Sequence, residues 1–141
     1  MTTSGFISRS EEETRRFAED FARTIRGDEK ICLIGPLGAG KTTFVRGFVH
    51  AFGIEKDEVS SPTFTLVREY GKAPKIYHVD LYRLDKEDEI FEAGIFELIS
   101  GDDLVLIEWA DHLDKYFPPR CVVLRFKHVS ETERLIDVEP R

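Results

Sequence analysis

The sequence has few cysteines and no long apolar run. Its 141 residues include two cysteines, Cys32 and Cys121, which lie in separate strand-like segments at no short spacing from each other or from a histidine pair. This pattern argues against a zinc or redox site and predicts two reduced thiols in the core. The longest apolar runs, such as Leu104 to Ile107, are too short to cross a bilayer, and the first thirty residues lack the apolar segment of a signal peptide. We therefore expect a cytoplasmic protein with no membrane segment.

Positive charge is also scarce. Lysine and arginine number 20 against 27 aspartates and glutamates, which gives a formal net charge of −7. Direct electrostatic binding of nucleic acid favours the opposite balance, because basic side chains must neutralise the phosphates. If the protein acts on a nucleic acid, we expect it to do so through a partner or through one local basic patch.

The sequence does contain enough apolar residues for a core. Hydrophobic residues make up 41% of the chain and include eleven phenylalanines. A chain of this length buries roughly 68–70% of the surface that its unfolded form exposes. Since no repeat, low-complexity tract or Pro/Gly/Ser-rich linker divides the sequence, we predict a single domain over residues 1–141.

Helix and strand signals alternate along the first part of the chain. The segment Ser10 to Glu13 is a capping box, and apolar residues then recur on one helical stripe, which predicts a helix over 11–26 that ends at Gly27. A buried strand is predicted over 30–34. After a glycine-rich turn, a second helix is predicted to end at Gly53.

Further along, the hydrophobic period changes from helical to two. The segments on either side of the turn 71–74 alternate in polarity, which predicts an antiparallel hairpin. A helical stretch over 86–99 precedes the buried strand 104–107, and two paired strands are predicted at 121–126 and 135–138. These elements favour an α/β fold in which helices sandwich a mixed sheet.

The glycine-rich turn between the first buried strand and the second helix has a fixed pattern. It matches G-x-x-x-x-G-K-[ST] with Gly35, Pro36, Leu37, Gly38, Ala39, Gly40, Lys41 and Thr42. In this position the glycines allow successive backbone amides to surround a phosphate. Lys41 would supply a cation for the β- and γ-phosphate oxygens, and the Thr42 hydroxyl would be a ligand for Mg²⁺. We therefore predict a P-loop NTPase-like fold with a Mg²⁺-nucleotide site.

Such a site also needs a carboxylate, because Mg²⁺ prefers hard oxygen ligands. Glu108 directly follows the strand 104–107, so it lies near the phosphate loop if that strand and the strand 30–34 are parallel neighbours. Asp80 ends another strand and shares a face with His78; the alternative for Asp80 is an acid in a turn. His78 either contacts the site or a partner, or is a hydrogen-bonded histidine of the sheet.

Two further features have more than one interpretation. Trp109 is the only tryptophan and adjoins Glu108, so it either places an aromatic plane beside the nucleotide or belongs to the core. The acidic run Asp85 to Glu89 is typical of a solvated helix start, with an acidic partner-binding patch as the alternative.

Together these motifs resemble the TsaE family, small bacterial ATPases of the pathway that places threonylcarbamoyl on a tRNA adenosine next to the anticodon. The resemblance covers about residues 8–117. It rests on segments in the family's order, Gly38–Phe44, Ser61–Leu66, Tyr77–Arg83, the helix around Gly94 and Leu106–Trp109. The last twenty-odd residues show little of the family pattern.

The resemblance implies roles for individual residues around ATP. The backbone from Gly35 to Thr43 and the Lys41 side chain would hold the triphosphate, Thr42 and Glu108 would ligate Mg²⁺, and Asp80 would support the metal or the attacking water. Thr63 would act in a switch-like loop that responds to the γ-phosphate.

The adenine site implied by the resemblance would draw on Ser10 and Glu11 at the start of the first helix and on Arg134 in the last hairpin. Two positions depart from the family pattern. Pro36 replaces a commonly acidic or polar residue and removes one amide donor, but the phosphate-facing amides come later in the loop. Ala110 stands where proline is frequent. Neither departure affects the predicted nucleotide site.

The resemblance also implies ATP hydrolysis that drives a conformational cycle rather than modification of tRNA by this chain. The partners would be the TsaD and TsaB proteins, with tRNA reached only indirectly, which agrees with the net charge of −7. A small-molecule or nucleoside kinase would also need a phosphate loop, but no cluster of arginines follows the loop to form a lid. A GTPase is disfavoured because the sequence has no N-K-x-D segment, and a nucleotide sensor without catalysis is the third alternative.

Overall fold

The described residues of this protein form a seven-stranded mixed sheet with helices packed against it. The structure is a computed structural model that describes residues 4–36, 38–55, 58–59, 67–72, 74–82, 86–109 and 121–140. In chain order its elements are β1 (Ser4–Ser8), α1 (Glu11–Ala22), β2 (Lys30–Ile34), α2 (Lys41–His50), β3 (Val67–Tyr70), β4 (Ile76–Asp80), α3 (Glu87–Glu92), α4 (Ile95–Ser100), β5 (Leu104–Glu108), β6 (Cys121–His128) and β7 (Arg134–Pro140).

The sheet is parallel in its centre and antiparallel at both edges. Its order is β1-β7-β6-β2-β5-β4-β3. Strand β2 pairs in parallel with β5 and β6, and β5 pairs in parallel with β4. The predicted hairpin is present as the antiparallel pair β3–β4, and the two predicted C-terminal strands pair as β6–β7. The parallel neighbours β2 and β5 therefore end at the same edge of the sheet.

Both faces of the central sheet are buried, which explains the continuous apolar runs 31–34 in β2 and 104–107 in β5. On one face Ile31 and Leu33 of β2 pack with Phe44 and Phe48 of α2. On the other face Cys32 belongs to a second cluster that contains buried isoleucines of α3 and α4. The predicted α/β sandwich, with a P-loop NTPase-like arrangement of strand, loop and helix, is confirmed.

The helices α1 and α2 pack unusually closely at one point. A Cβ atom added to Gly47 of α2 would lie 2.2 Å from the carbonyl oxygen of Arg15 on α1. Phenylalanine rings of the two helices meet around this contact, with Phe21 and Phe44 centroids 5.8 Å apart. Only glycine fits at this crossing, so Gly47 sets the distance between the two helices.

Several element boundaries differ from the sequence prediction. Helix α1 ends at Ala22 rather than at residue 26, because the Thr24 and Ile25 amides bond to carbonyls three residues back and tighten the last turn. The predicted helix over 86–99 is two helices separated by Gly94, whose φ of 77° interrupts the helical backbone. Strand β1 was not predicted at all.

The two cysteines meet in the core although they are far apart in sequence. Both thiols are buried, and their Sγ atoms lie 2.9 Å apart on the neighbouring strands β2 and β6. The parallel register places Lys30 opposite Cys121, so Cys32 and Cys121 are diagonal neighbours on one face.

Among the described helices, none is both long and apolar enough to span a membrane.

Candidate functional site

The phosphate-loop segment joins β2 to α2 through a turn that requires glycine. Gly35 lies so close to β6 that an added Cβ atom would be 2.6 Å from the carbonyl oxygen of Phe126. Gly40, the N-cap of α2, has a φ of 101°, in the left-handed region that other residues disfavour. Leu37 lies outside the described residues. These constraints hold the loop against β6 and start α2 at Lys41.

The N-terminus of α2 opens into a cleft. No side chain caps this helix end among the described residues, and its first turn contains no acidic residue. The first amides of a helix lack intrahelical partners and, with the helix dipole, favour an anion. Gly40, Lys41, Thr42 and Thr43 all line the cleft. This helix end has the local structure and the electrostatics of a phosphate site.

Lys41 is held at the base of the cleft. The residue is only 5% exposed. Its Nζ donates to the Gly35 carbonyl at 2.6 Å and lies 3.3 Å from the centroid of the Trp109 ring. The ammonium group is therefore positioned by the loop backbone and by a cation–π contact, and it adds a fixed positive charge to the helix end.

Trp109 follows β5 in an unusual backbone conformation. Its φ is 60°, a value that bulky residues rarely adopt, and its amide donates to the Leu33 carbonyl of β2 at 3.1 Å. The indole ring lies 5.0 Å from the Tyr82 ring, between centroids. Trp109 both lines the cleft and packs against the core beneath α3 and α4. Trp109 therefore has core contacts as well as a place in the cleft lining, and its role beside a nucleotide stays a prediction.

Thr42 and Glu108 meet across the edge of the sheet. Each Glu108 carboxylate oxygen lies 3.3 Å from Thr42 Oγ1. Glu108 is 3% exposed and lies at the carboxyl end of β5, as its position after the apolar run predicted. Asp80 is directly opposite Glu108 in the β4–β5 register, and its Oδ1 accepts from the Tyr82 amide at 2.8 Å. The sheet therefore places two carboxylates and a hydroxyl beside the start of α2.

These oxygens fit a magnesium ion. Adjacent ligand oxygens of an octahedral Mg²⁺ lie about 3 Å apart, since each is about 2.1 Å from the ion. The Thr42–Glu108 separations of 3.3 Å are close to that value. No group of three or more His, Cys, Asp or Glu side chains suited to a metal occurs in the described part of the chain. Beside phosphates, Mg²⁺ usually has one or two carboxylate ligands, and phosphate oxygens and water complete its coordination.

His78 is buried behind Glu108. Its Nε2 is 2.5 Å from Glu108 Oε2, and its Nδ1 is 3.3 Å from the Tyr70 hydroxyl. The sequence left two roles open for this histidine, a contact with the site or a hydrogen bond within the sheet. In the structure it has hydrogen bonds on both ring nitrogens, and one of them reaches a site carboxylate.

The cleft has a volume of about 440 Å³ and extends from α2 to the start of α1 and the β6–β7 turn. Its lining includes Ser10, Glu11 and Arg134, the three residues predicted for the adenine site. One Arg134 guanidinium nitrogen donates to carbonyls of the β6–β7 turn, and the other donates to Gly38 in the phosphate loop at 3.4 Å. The hairpin is thereby tied to the loop across the cleft.

Some predicted site residues do not line the cleft or lie outside the described residues. Gly35, Pro36 and Ala39 belong to the loop but do not line the cleft. Thr63 lies outside the described residues, so its switch-like role stays a prediction. Apart from these residues and Leu37, all the predicted site residues line one cleft, although they come from separate parts of the chain.

The sequence prediction missed three residues that line the cleft, Thr14, Tyr82 and Thr132. Thr14 lies about one helical turn after Ser10, so the helical period would have placed it on the same side of α1. Tyr82 lies two residues after Asp80 in the Tyr77–Arg83 segment, so its position beside a predicted site residue was the available signal. Thr132 is in the β6–β7 turn, and nothing in its local sequence distinguishes it.

The fold and the site define the class of protein. A buried parallel strand, a G-x-x-x-x-G-K-[ST] turn and a helix, with a carboxylate at the end of the neighbouring parallel strand, are the elements of a P-loop NTPase-like α/β fold. Comparison with known proteins then gives the family. The sequence model of the family described as "Threonylcarbamoyl adenosine biosynthesis protein TsaE" matches residues 8–136, so the chain belongs to the TsaE family.

The sequences of individual relatives match almost the whole length of this chain. The tRNA threonylcarbamoyladenosine biosynthesis protein TsaE of Rickettsia bellii is 40% identical over 140 residues, covering 98% of this chain and 96% of the relative. The protein of the same name from Bacillus subtilis is 38% identical over 127 residues, covering 89% of this chain and 78% of the relative. A crystal structure of YdiB from Bacillus subtilis has a TM-score of 0.75 at 28% identity, covering 99% of this chain and 86% of that one.

These matches correct one expectation. The sequence motifs predicted that the resemblance ends near residue 117, with little family pattern beyond, but the family match continues to residue 136. The added part contains β6 and the start of β7, which supply the strand against Gly35 and the cleft residue Arg134. Family features therefore extend into the strands that complete the site.

Proposed function

We propose that this protein binds ATP with Mg²⁺ and hydrolyses it, as an accessory subunit in the threonylcarbamoyl modification of tRNA that acts on a complex of TsaB and TsaD. The observation that carries this proposal is the convergence of Lys41, Thr42 and Glu108 at the uncapped start of α2. Those groups supply the fixed cation, the metal ligands and the amide donors that a nucleoside triphosphate requires.

The start of α2 would hold the phosphates. Its free amides and the Lys41 ammonium group offer donors and positive charge to the phosphate oxygens, where charge changes during phosphoryl transfer. The ammonium group is already oriented by the Gly35 carbonyl and the Trp109 ring. This preorganisation supports catalysis, since little reorganisation is needed when the phosphates bind.

Thr42 and Glu108 would hold Mg²⁺, with Asp80 supporting either the metal or the attacking water. Bound there, the ion would neutralise charge on the β- and γ-phosphate oxygens. Asp80 lies opposite Glu108 in the sheet, and its position is fixed by the Tyr82 amide. The two strand ends thus bring both carboxylates to the side of the cleft where the terminal phosphate would lie.

The other end of the cleft would receive the nucleoside. Ser10 and Glu11 bring oxygen acceptors from α1, and Arg134 brings a planar cation from the hairpin. Acceptor oxygens suit the amino group of adenine, and a guanidinium plane can stack on a base. The volume of about 440 Å³ is within the range of roughly 300–1,000 Å³ that is usual for small-ligand sites.

The charge of the chain supports an indirect action on tRNA. A net charge of −7 disfavours direct binding of a polyanion such as tRNA. A nucleotide needs only local positive charge, which the start of α2 and Lys41 would supply. We therefore place the chain's action on the protein components of the pathway. ATP hydrolysis would drive a conformational cycle that resets or activates the transfer enzyme.

Nucleotide binding and hydrolysis can be tested separately. Trp109 is the only tryptophan and contacts Lys41, so ATP titration in Mg²⁺ should change its fluorescence. Phosphate release should be slow for the chain alone and should rise when TsaB and TsaD are added. Phosphate that appears on an added small acceptor would instead establish a kinase, and binding without phosphate release in either mixture would indicate a nucleotide sensor.

The role in modification requires a reconstituted reaction. Threonylcarbamoyl transfer to tRNA is measured over several turnovers with TsaB and TsaD, in the presence and absence of this chain. We expect sustained transfer only when the chain and hydrolysable ATP are both present. Equal transfer without the chain would contradict the proposal.

A further inference from the structure

The buried side chain of His78 contacts the site, and the proposed function assigns it no role. His78 is completely buried in β4, and so are most of the atoms of its two partners, Tyr70 and Glu108. Burying polar groups is costly unless they are hydrogen-bonded, so a histidine placed here needs partners on both ring nitrogens. The partners that it has connect it to the cleft.

The direction of the hydrogen bond between His78 and Glu108 follows from the groups themselves. As a Mg²⁺ ligand the Glu108 carboxylate would only accept hydrogen bonds, so we assign His78 Nε2 as the donor to Glu108 Oε2, across 2.5 Å. The other ring nitrogen, Nδ1, lies 3.3 Å from the Tyr70 hydroxyl, a group that can either donate or accept. Tyr70, His78 and Glu108 thus form a short chain of hydrogen bonds that ends at the carboxylate facing Thr42.

We propose that His78 is a positioning residue, which holds the Glu108 carboxylate in the orientation that a Mg²⁺ ligand needs. This inference rests on the proposed function, because it assumes that Glu108 binds Mg²⁺. Each Glu108 oxygen is 3.3 Å from Thr42 Oγ1, and one of them is also bonded to His78. The histidine therefore restricts rotation of the carboxylate while leaving the other oxygen directed at Thr42.

The sheet makes this restraint rigid. His78 lies two residues before Asp80 on β4, and Asp80 is paired with Glu108 on β5. The histidine and both carboxylates are thus fixed by adjacent parallel strands rather than by a loop. Partners that orient a metal ligand from behind typically contribute about 10- to 100-fold to metal affinity or activity.

Two amide substitutions distinguish positioning from simple filling of space. In His78→Gln the terminal amide nitrogen is the same number of bonds from Cβ as histidine Nε2, so it can still donate to Glu108. In His78→Asn the amide nitrogen corresponds to Nδ1, on the Tyr70 side, and does not reach Glu108. The two variants carry the same functional group and differ in its reach.

The measurement is ATP hydrolysis by the full chain, with TsaB and TsaD present, over a series of Mg²⁺ concentrations. For His78→Asn we expect the half-saturating Mg²⁺ concentration to rise about 10-fold or more, whereas His78→Gln should stay within about 3-fold of the unsubstituted protein. At saturating Mg²⁺ the half-saturating ATP concentration should be nearly unchanged in both. Thermal unfolding of each variant reports whether the fold is kept.

Several results would overturn the assignment. Equal Mg²⁺ dependence in the two variants, or a change in ATP dependence without a change in Mg²⁺ dependence, would show that His78 has only a structural role. If His78→Asn does not fold, Tyr70→Phe replaces it. This variant removes one hydroxyl from the hydrogen-bond chain, and a Mg²⁺ dependence equal to that of the unsubstituted protein would count against the proposal. If the unsubstituted protein shows no Mg²⁺-dependent hydrolysis, the proposed function itself fails, which is a separate outcome.

Discussion

Two helices begin at the same cleft, and their N-termini are built in opposite ways. At the start of α1 the Glu13 amide donates to Ser10 Oγ and the Arg9 amide donates to Glu13 Oε1, and the first turn carries three glutamates. At the start of α2 the cap is Gly40, which has no side chain to accept from the helix, and the first turn has no acid. Side chains of α1 satisfy its own N-terminus, whereas no described side chain caps the N-terminus of α2.

This difference in capping and charge gives the N-termini of α1 and α2 different electrostatic properties. Acidic residues at a helix start neutralise the positive end of the dipole, so the α1 end repels phosphate and suits donors of a neutral base. The open α2 end, reinforced by Lys41, attracts phosphate. A nucleotide placed between them would be oriented by this difference in charge alone.

The largest effect is expected from removing the cation at the α2 end. Lys41→Ala should reduce ATP hydrolysis by at least about 100-fold, because preorganised charge at the transferred phosphate is lost. The change should leave circular dichroism and thermal unfolding nearly unaltered. Lys75→Ala is the matched control, since Lys75 lies on the surface and pairs with Glu69. Equal turnover in Lys41→Ala and the control would refute the phosphate assignment.

The next effect concerns the carboxylate opposite α2. Glu108→Gln should still bind ATP but hydrolyse it about 10- to 100-fold more slowly, since an amide is a poor ligand for Mg²⁺. Binding is followed by Trp109 fluorescence and hydrolysis by phosphate release. Glu92→Gln on the exposed side of α3 controls for loss of one negative charge. Loss of fold with normal specific activity in the remaining soluble protein would indicate a structural role.

A third change alters the distance between the two helices. Gly47→Ala forces a Cβ atom toward the Arg15 carbonyl, and we expect the free energy of unfolding to fall by about 1–3 kcal/mol. Because α1 must move, the half-saturating ATP concentration should also rise. Helix propensity alone would change the stability in the opposite direction, since alanine is a better helix former than glycine. Denaturant titration measures the stability, and an unchanged midpoint would show that the crossing can adapt.

The smallest effect is expected from opening the α1 end. Ser10→Ala removes the capping oxygen for the Glu13 amide and should lower the free energy of unfolding by about 1 kcal/mol. Hydrolysis at saturating ATP should stay close to that of the unsubstituted protein, because our proposal places the phosphates at the other helix. A loss of turnover as large as that of Lys41→Ala would show that the two ends do not have separate roles.

Much of the site could be predicted because it depends on local patterns. The phosphate loop is continuous in sequence, and the apolar run before Glu108 placed that carboxylate at a strand end, where the parallel β2–β5 pairing then brought it to the loop. The period of two put His78 and Asp80 on one face of β4. These inferences needed only element type and order.

The parts that were missed depend on distant pairing. Strand β1 is short and polar at both ends, and it forms because Phe6 pairs with Ile136 of β7 near the other end of the chain. The break between α3 and α4 depends on the φ angle of one residue, Gly94, inside an otherwise helical sequence pattern. The contact between His78 and Glu108 needs β4 and β5 to be neighbours, which no spacing within either strand reveals.

The close approach of Gly35 to Phe126 has a practical consequence for handling the protein. Strand β6 lies next to β2 in the middle of the sheet, so residues near the end of the chain form part of the wall behind the phosphate loop. A truncation that removes the last hairpin would take away this wall together with Arg134. Tags and fusion partners therefore belong beyond β7, and a fragment that stops before Cys121 is unsuitable for measuring nucleotide binding.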